Sequence, residues 1–190
     1  MNKRLVTISK LLSLVLRHRP EVIGITLDNS GYVDVNELIQ KINAQKNIKL
    51  DLRTLKDVVD NNDKKRFAFN ADFTKIRASQ GHSIDVDVEF EKINPPDILY
   101  HGTAKPTIEK ILKSSGLVAK NRLYVHLSGD TETAKNVGRR HGVPAILIID
   151  AKQMHQDGLD IFISANGVYL TKEVPLKYIT KYEKEFNTLD

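Results

Sequence analysis

The sequence predicts an α+β protein in two lobes, and three observations carry that prediction. Apolar residues first recur at helical spacing in three successive stretches and then switch to a strand-like alternation at "RFAFN" and "KIRAS". After "DILYHG" the chain is dominated by short runs rich in branched and aromatic residues, the texture of strands. Between the two textures, "EKINPPDILYHG" holds Pro95 and Pro96, a pair that reads as an extended linker. The expected lobes are residues 1–94 and 95–190.

In the first lobe, residues 7–19 place Ile8, Leu11, Leu12, Val15 and Leu16 on one helical face, and Pro20 forbids continuation. "LRHRP" closes that helix. Its cations complement the helix dipole, each by about 0.3–1 kcal/mol, so Arg17, His18 and Arg19 have a capping role open to them from these letters alone. Asp34 caps a second helix with Val35, Leu38, Ile39 and Ile42 inward. "LDLRTLKDVVDNN" supplies a third, with Leu52, Leu55, Val58 and Val59 inward. "RFAFN" and "KIRAS", joined by "ADFT", form a hairpin that alternates through Phe67, Phe69, Ile76 and Ala78. Three small helices and a β-hairpin are the layout of a winged-helix module, an analogy that says little about activity.

In the second lobe, strands are expected at "ILYHGT", "RLYVHLS", "AILIIDA", "DIFIS", "GVYLTKEV" and "YITKY". Helices are expected at "KPTIEKILKSSG", ended by Gly116, and at "DTETAKNVGRRHG", capped by Asp130 and ended by Gly142.

Composition narrows the chemistry. The 190 residues carry a formal charge of +5, which permits an anionic partner without demanding one, and the basic residues are spread over both halves. The absence of cysteine excludes disulfides, thiol nucleophiles and cysteine-ligated metal sites, and fits a cytoplasmic location. Lys10 interrupts the apolar stretch near the N-terminus, so no secretory leader is expected, and no apolar run approaches a membrane span. There is no phosphate-binding G-x-x-x-x-G-K-[ST] loop, no G-x-G-x-x-G, no pair of histidines four apart and no EF-hand loop. No metal is expected.

Two sets of residues remain. "LYHGT" and "LYVHLS" put His101 and His126 at or near strand ends with a small polar residue just after. Each is compatible with a satisfied core-edge histidine. Each also suits a ligand site, where Gly102 admits close backbone approach and His101 and Thr103 direct hydrogen bonds. The arginines of "DKKRFAF", "KIRASQGHS" and "VGRRHG" form the second set. Lys64 and Lys65 read as a solvated run, whereas Arg66 directly precedes a strand, and its guanidinium fork suits phosphate better than lysine does.

Together, "SLVLRHRPE", "DKKRFAF", "IRASQGHS", "LYHGT", "LYVHLS", "AKNVGRRHGVPAILIID" and "SANGVYLTKEVP" resemble, in order and over nearly the whole chain, the RNA 2'-phosphotransferase family, the Tpt1/KptA group of tRNA-splicing phosphotransferases. The resemblance implies an N-terminal winged-helix RNA lobe and a C-terminal ADP-ribosyltransferase-like lobe that binds NAD+. It implies that an internal RNA 2'-phosphate attacks C1'' of the nicotinamide ribose and expels nicotinamide. The ribose 2''-OH then attacks phosphorus, leaving an RNA 2'-OH and ADP-ribose 1'',2''-cyclic phosphate. The family's Arg-His-Arg-Arg set maps onto Arg17, His18, Arg66 and one arginine of "GRRHG". Arg140, immediately before His-Gly, is chosen over Arg139, which stays open.

By the same carry-over, His101, Gly102 and Thr103 meet the adenosine, while His126 and Ser128 lie by the pyrophosphate or nicotinamide ribose. Asn166, Gly167 and Val168 belong to the stretch where many ADP-ribosyltransferases carry a glutamate; valine there leaves the 2''-OH free to act as nucleophile. Arg77, Ser79, Gln80 and His82, with Arg139, are candidate RNA contacts, although a plain wing-to-linker turn explains "RASQGHS" nearly as well. The expected partner is RNA carrying an internal 2'-phosphate, with no membrane, bound by a monomer. Competing readings are an ADP-ribosyltransferase acting on nucleic-acid phosphate ends or on protein, and a winged-helix regulator of duplex DNA. The acidic third helix disfavours the regulator.

Overall fold

A computed structural model describes residues 3–46 and 48–183. The chain divides into two compact units, one ending at Glu89 and the other beginning at Phe90. The break falls ahead of Pro95–Pro96 because Glu91 and Lys92 already pair with a strand of the second unit.

The first unit runs α1 (Lys3–Arg17), β1 (Val33–Asp34), α2 (Val35–Lys46), α3 (Leu52–Asp60), β2 (Phe67–Phe69) and β3 (Lys75–Ala78). Ile8, Leu12, Val15 and Leu16 of α1 join Leu38 and Ile42 of α2, Leu55 and Val58 of α3, and Phe67, Ile76 and Ala78 of the hairpin in one core. The three helical faces thus bury what their spacing promised, with one correction. Leu52, expected inward, is exposed, because it stands in the first turn of α3, right after the capping Asp51. Asp34 and Asp51 cap α2 and α3 by accepting from Glu37 N–H and Thr54 N–H, at 2.9 and 2.7 Å. Short β1 adds a third, antiparallel strand beside β3, giving the sheet order β1-β3-β2.

The second unit runs β4 (Glu91–Lys92), β5 (Ile98–Ala104), α4 (Lys105–Leu112), β6 (Gly116–Val118), β7 (Val125–Leu127), α5 (Thr131–Gly138), β8 (Pro144–Asp150), α6 (Ala151–Gln156), β9 (Phe162–Ile163), β10 (Tyr169–Thr171), β11 (Glu173–Pro175) and β12 (Ile179–Glu183). Its antiparallel sheets have the orders β4-β9-β10-β7, β11-β6 and β12-β8-β5. Central β8 is an unbroken apolar run, and Ala145, Ile146, Leu147 and Ile149 are fully buried. The protein is therefore of mixed α+β class, as its sequence predicts.

Two of the expected elements take a different form. Gly116 does not end a helix: α4 stops at Leu112, and Gly116 opens β6 with φ +127°. A Cβ there would stand 2.1 Å from the Val174 carbonyl oxygen, so only glycine lets β6 and β11 pair. "GVYLTKEV" is not one strand but two, β10 and β11, in different sheets, and Thr171 anchors the corner by donating to the Asp160 and Glu173 carbonyls. No helix among the described residues is long and apolar enough to cross a membrane.

Candidate functional site

The end of α1 is where the first unit concentrates positive charge. Arg17 is its last residue and is buried, although a basic side chain at a helix terminus is ordinarily solvated. Its Nη2 donates to the Arg66 carbonyl at 3.4 Å, across 49 residues of sequence. The flat face of its guanidinium lies over Gly81, where a Cβ would come within 3.6–3.8 Å of Nη1, Cζ and Nε; Gly81 itself has φ +87°. Ser83 N–H donates to the Arg17 carbonyl at 2.9 Å, and Ser83 Oγ is 2.9 Å from His18 Nδ1. "LRHRP" and "SQGHS" are therefore one structural feature. Arg19, by contrast, forms an exposed ion pair with Glu21 at 3.0 Å, as a solvated residue does.

Arg66 enters the same cluster from the start of β2. Its N–H and Nη1 both donate to Asn62 Oδ1, at 3.3 and 3.2 Å, while its carbonyl accepts from Ser79 N–H at 2.8 Å. Arg77 lies on β3, with Nη1 donating to the Ser30 carbonyl at 3.2 Å and its guanidinium 4.5 Å above the Tyr32 ring. His82 is buried, and burial above all pushes its imidazole down to about 4; Arg17, His18 and Arg77 act in the same direction. Its Nε2 has no hydrogen-bond partner among the described residues. Ser79 is a structural member: it is buried and its hydroxyl donates to the Lys65 carbonyl at 2.8 Å. Gln80 sits half-buried in the same turn. Three arginines, a half-buried histidine and a neutral buried one thus converge, a set suited to an anion with several oxygens.

In the second unit His101 lies on β5, and its Nδ1 donates to the His126 carbonyl at 3.0 Å. Burial lowers its pKa, helped by His141, so the ring is neutral and presents Nε2 as an acceptor. His126, on β7, is likewise held by the Tyr124 carbonyl, 3.1 Å from Nδ1. Ser128 and Tyr100 exchange backbone hydrogen bonds of 2.8 and 2.9 Å, which ties the end of β7 to β5. Gly102 has a different immediate cause from the one its motif implied. A Cβ on it would stand 1.7 Å from the Ala134 carbonyl oxygen, so the backbone that approaches closely is that of α5. Thr103 is buried in the same seam, where a Cβ on Gly138 would fall 2.6 Å from its carbonyl oxygen.

Asn166, Gly167 and Val168 form a tight loop organised by buried Ser164, whose Oγ donates to Asn166 Oδ1 at 2.7 Å and accepts from Val168 N–H at 3.1 Å. Gly167 takes φ +76°. After α5, whose cap Asp130 accepts from Thr133 N–H at 2.7 Å, Arg139–His141 form a short 3-10 turn against β5. Arg139 and Arg140 are both exposed. Arg139 Nη1 donates to Asn136 Oδ1 at 3.2 Å, whereas Arg140 has no side-chain partner among the described residues.

The family model described as "RNA 2'-phosphotransferase, Tpt1 / KptA family" matches residues 3–173. The chain belongs to the RNA 2'-phosphotransferase family. A protein of Flavobacterium johnsoniae named "Probable RNA 2'-phosphotransferase" is 53% identical over 180 residues, covering 94% of this chain and 98% of the relative. Relatives of the same name from Burkholderia pseudomallei and Rhodopirellula baltica are 52% and 48% identical, over 90% and 94% of this chain and 92% and 97% of their own.

Within this member of the RNA 2'-phosphotransferase family, three polar residues that sequence reasoning passed over complete the two sets. Ser83 bridges to His18, Ser164 builds the loop before β10, and Asn62 holds Arg66. Asn62 lies in "DNNDKKRF", which reads as a solvated charged turn; only its offset of four residues from Arg66 marks it, and an irregular turn gives that offset no periodic meaning.

Proposed function

We propose that the protein is an NAD+-dependent RNA 2'-phosphotransferase, with a winged-helix RNA lobe up to Glu89 and an ADP-ribosyltransferase-like lobe from Phe90. The observation that carries this reading is the convergence of Arg17 and His18, at the end of α1, with Arg66, 49 residues beyond Arg17, in one cluster of the first unit. A phosphate monoester carries about −1.5 to −2 charge at neutral pH, and guanidinium forks match its oxygens two at a time. Arg17 and Arg66 bind the RNA 2'-phosphate, His18 moves the proton beside it, Arg77 and Gln80 line the approach of the RNA strand, and buried His82 backs the cluster. Ser79 supports the turn.

In the second unit the donor set fits a dinucleotide. His101 and His126 each spend Nδ1 on a backbone carbonyl, which fixes both rings; His101 turns Nε2 toward a ribose hydroxyl or amide, and exposed Arg140 is available to an anionic group. Arg139 is committed to Asn136, which supports Arg140 as the fourth member of the set. NAD+ is the co-substrate: the 2'-phosphate displaces nicotinamide from it. The ribose 2''-OH then takes the phosphorus, releasing RNA with a 2'-OH and ADP-ribose 1'',2''-cyclic phosphate.

The test is nicotinamide release from NAD+ in the presence of matched RNAs bearing an internal 2'-phosphate, a 5'-phosphate only, or neither. Release confined to the 2'-phosphorylated RNA is expected. Release with the 5'-phosphorylated RNA, or with protein alone, would assign a different acceptor.

A further inference from the structure

Asn62 is an asparagine in a place where a polar side chain needs a reason. It is buried within the first unit, just past the end of α3, and all its polar groups are used. Nδ2 donates to Ser9 Oγ of α1 at 3.1 Å. Oδ1 accepts twice from one residue, from Arg66 N–H at 3.3 Å and from Arg66 Nη1 at 3.2 Å. Its backbone carbonyl accepts from Lys65 N–H at 2.7 Å. Lys65 has φ +41°, a left-handed conformation unfavourable for lysine, and its carbonyl is pinned by Ser79 Oγ at 2.8 Å. A strained residue held on both sides, directly before Arg66, sets the direction in which that side chain leaves the backbone.

Many polar residues could hold an arginine, and an aspartate would hold it more strongly. A carboxylate at position 62 would form a charge-assisted pair with Arg66 and compete with a phosphate for the guanidinium. The amide oxygen occupies one of the five guanidinium N–H groups and leaves the full positive charge and the other donors available. We propose that Asn62 is a positioning residue, a buried neutral amide that fixes the Arg66 guanidinium for the RNA 2'-phosphate without neutralising it. This inference rests on the proposed function, because it gives Arg66 a phosphate to bind.

The experiment titrates an RNA oligonucleotide carrying one internal 2'-phosphate, and its 2'-OH counterpart, into the full-length wild type and variants by fluorescence anisotropy, with thermal melts alongside. Asn62→Asp keeps the acceptor toward both Arg66 donors, and the Ser9 hydroxyl can turn to donate. It should weaken binding of the 2'-phosphorylated RNA on the order of tenfold, with little change in melting temperature. In an Arg66→Ala background the same substitution should change affinity no further, which a merely structural role would not predict. Ser9→Ala, which releases the amide from α1 without touching Arg66, is the second variant and should weaken binding about threefold. Wild-type affinity in both Asn62→Asp and Ser9→Ala would overturn the proposal, as would an Asn62→Asp loss that persists in full without Arg66. Equal affinity of the wild type for the two RNAs would instead fail the phosphate-binding reading itself, and the inference with it.

Discussion

At the scale of single residues, His82 has the clearest physical consequence. Its imidazole is pushed from 6.5 down to about 4 by burial and then by Arg17, His18 and Arg77, so in the folded protein it stays neutral where the unfolded chain is protonated. A depressed histidine contributes stability that is fully present above pH 6.5 and lost as pH falls toward 4, because there the unfolded state binds the extra proton. The difference corresponds to about 3 kcal/mol. Denaturant titrations at pH 7 and pH 5 should show the wild type losing more stability than His82→Gln over that interval. Equal losses would mean that His82 is solvated in solution. The residues that sequence reasoning singled out are where charge and motif meet, as at Arg17, His18 and Arg66. The residues it passed over act through hydrogen bonds that no motif marks: Ser83 meets His18 across 65 residues, and Asn62 and Ser164 work within irregular turns that have no period.

At the scale of elements, the seam between β5 and α5 decides what Gly102 is for. The motif "YHGT" makes a glycine look like a ligand's doorway, yet the Ala134 carbonyl already stands where a Cβ would go, and Gly138 meets Thr103 in the same way. Gly102→Ala must push α5 off the strand, and the obstacle is backbone that no rotamer change relieves. We expect it to destabilise the second unit by about 3 kcal/mol or more, measured by chemical denaturation. An alanine variant of wild-type stability would show that α5 yields at little cost. Long periodic elements were legible: α1, α2 and β8 declare themselves by spacing or by an unbroken apolar run. The two-residue strands β1 and β4, three-residue β6 and six-residue α6 are too short to show a period, and pairing partners far along the chain bring the strands into being.

At the scale of the whole molecule, the two units hold sets of different chemistry. The first gathers guanidinium groups and the second imidazoles held by backbone carbonyls, consistent with a dianionic phosphate and a dinucleotide as separate ligands. The division into two lobes was legible from texture, since helical spacing gives way to strand runs around the proline pair. The break itself lies earlier because β4 pairs into the second unit. The central claim is that phosphorus moves from RNA to a ribose of NAD+ without passing through water. It is tested most directly by following a labelled phosphorus. RNA with one internal 2'-phosphate carrying ³²P is incubated with the protein and NAD+, and the products are separated. The account predicts that the label leaves the RNA and appears in ADP-ribose 1'',2''-cyclic phosphate, one per nicotinamide released. Label recovered as orthophosphate, or retained in RNA while NAD+ is consumed, would contradict it.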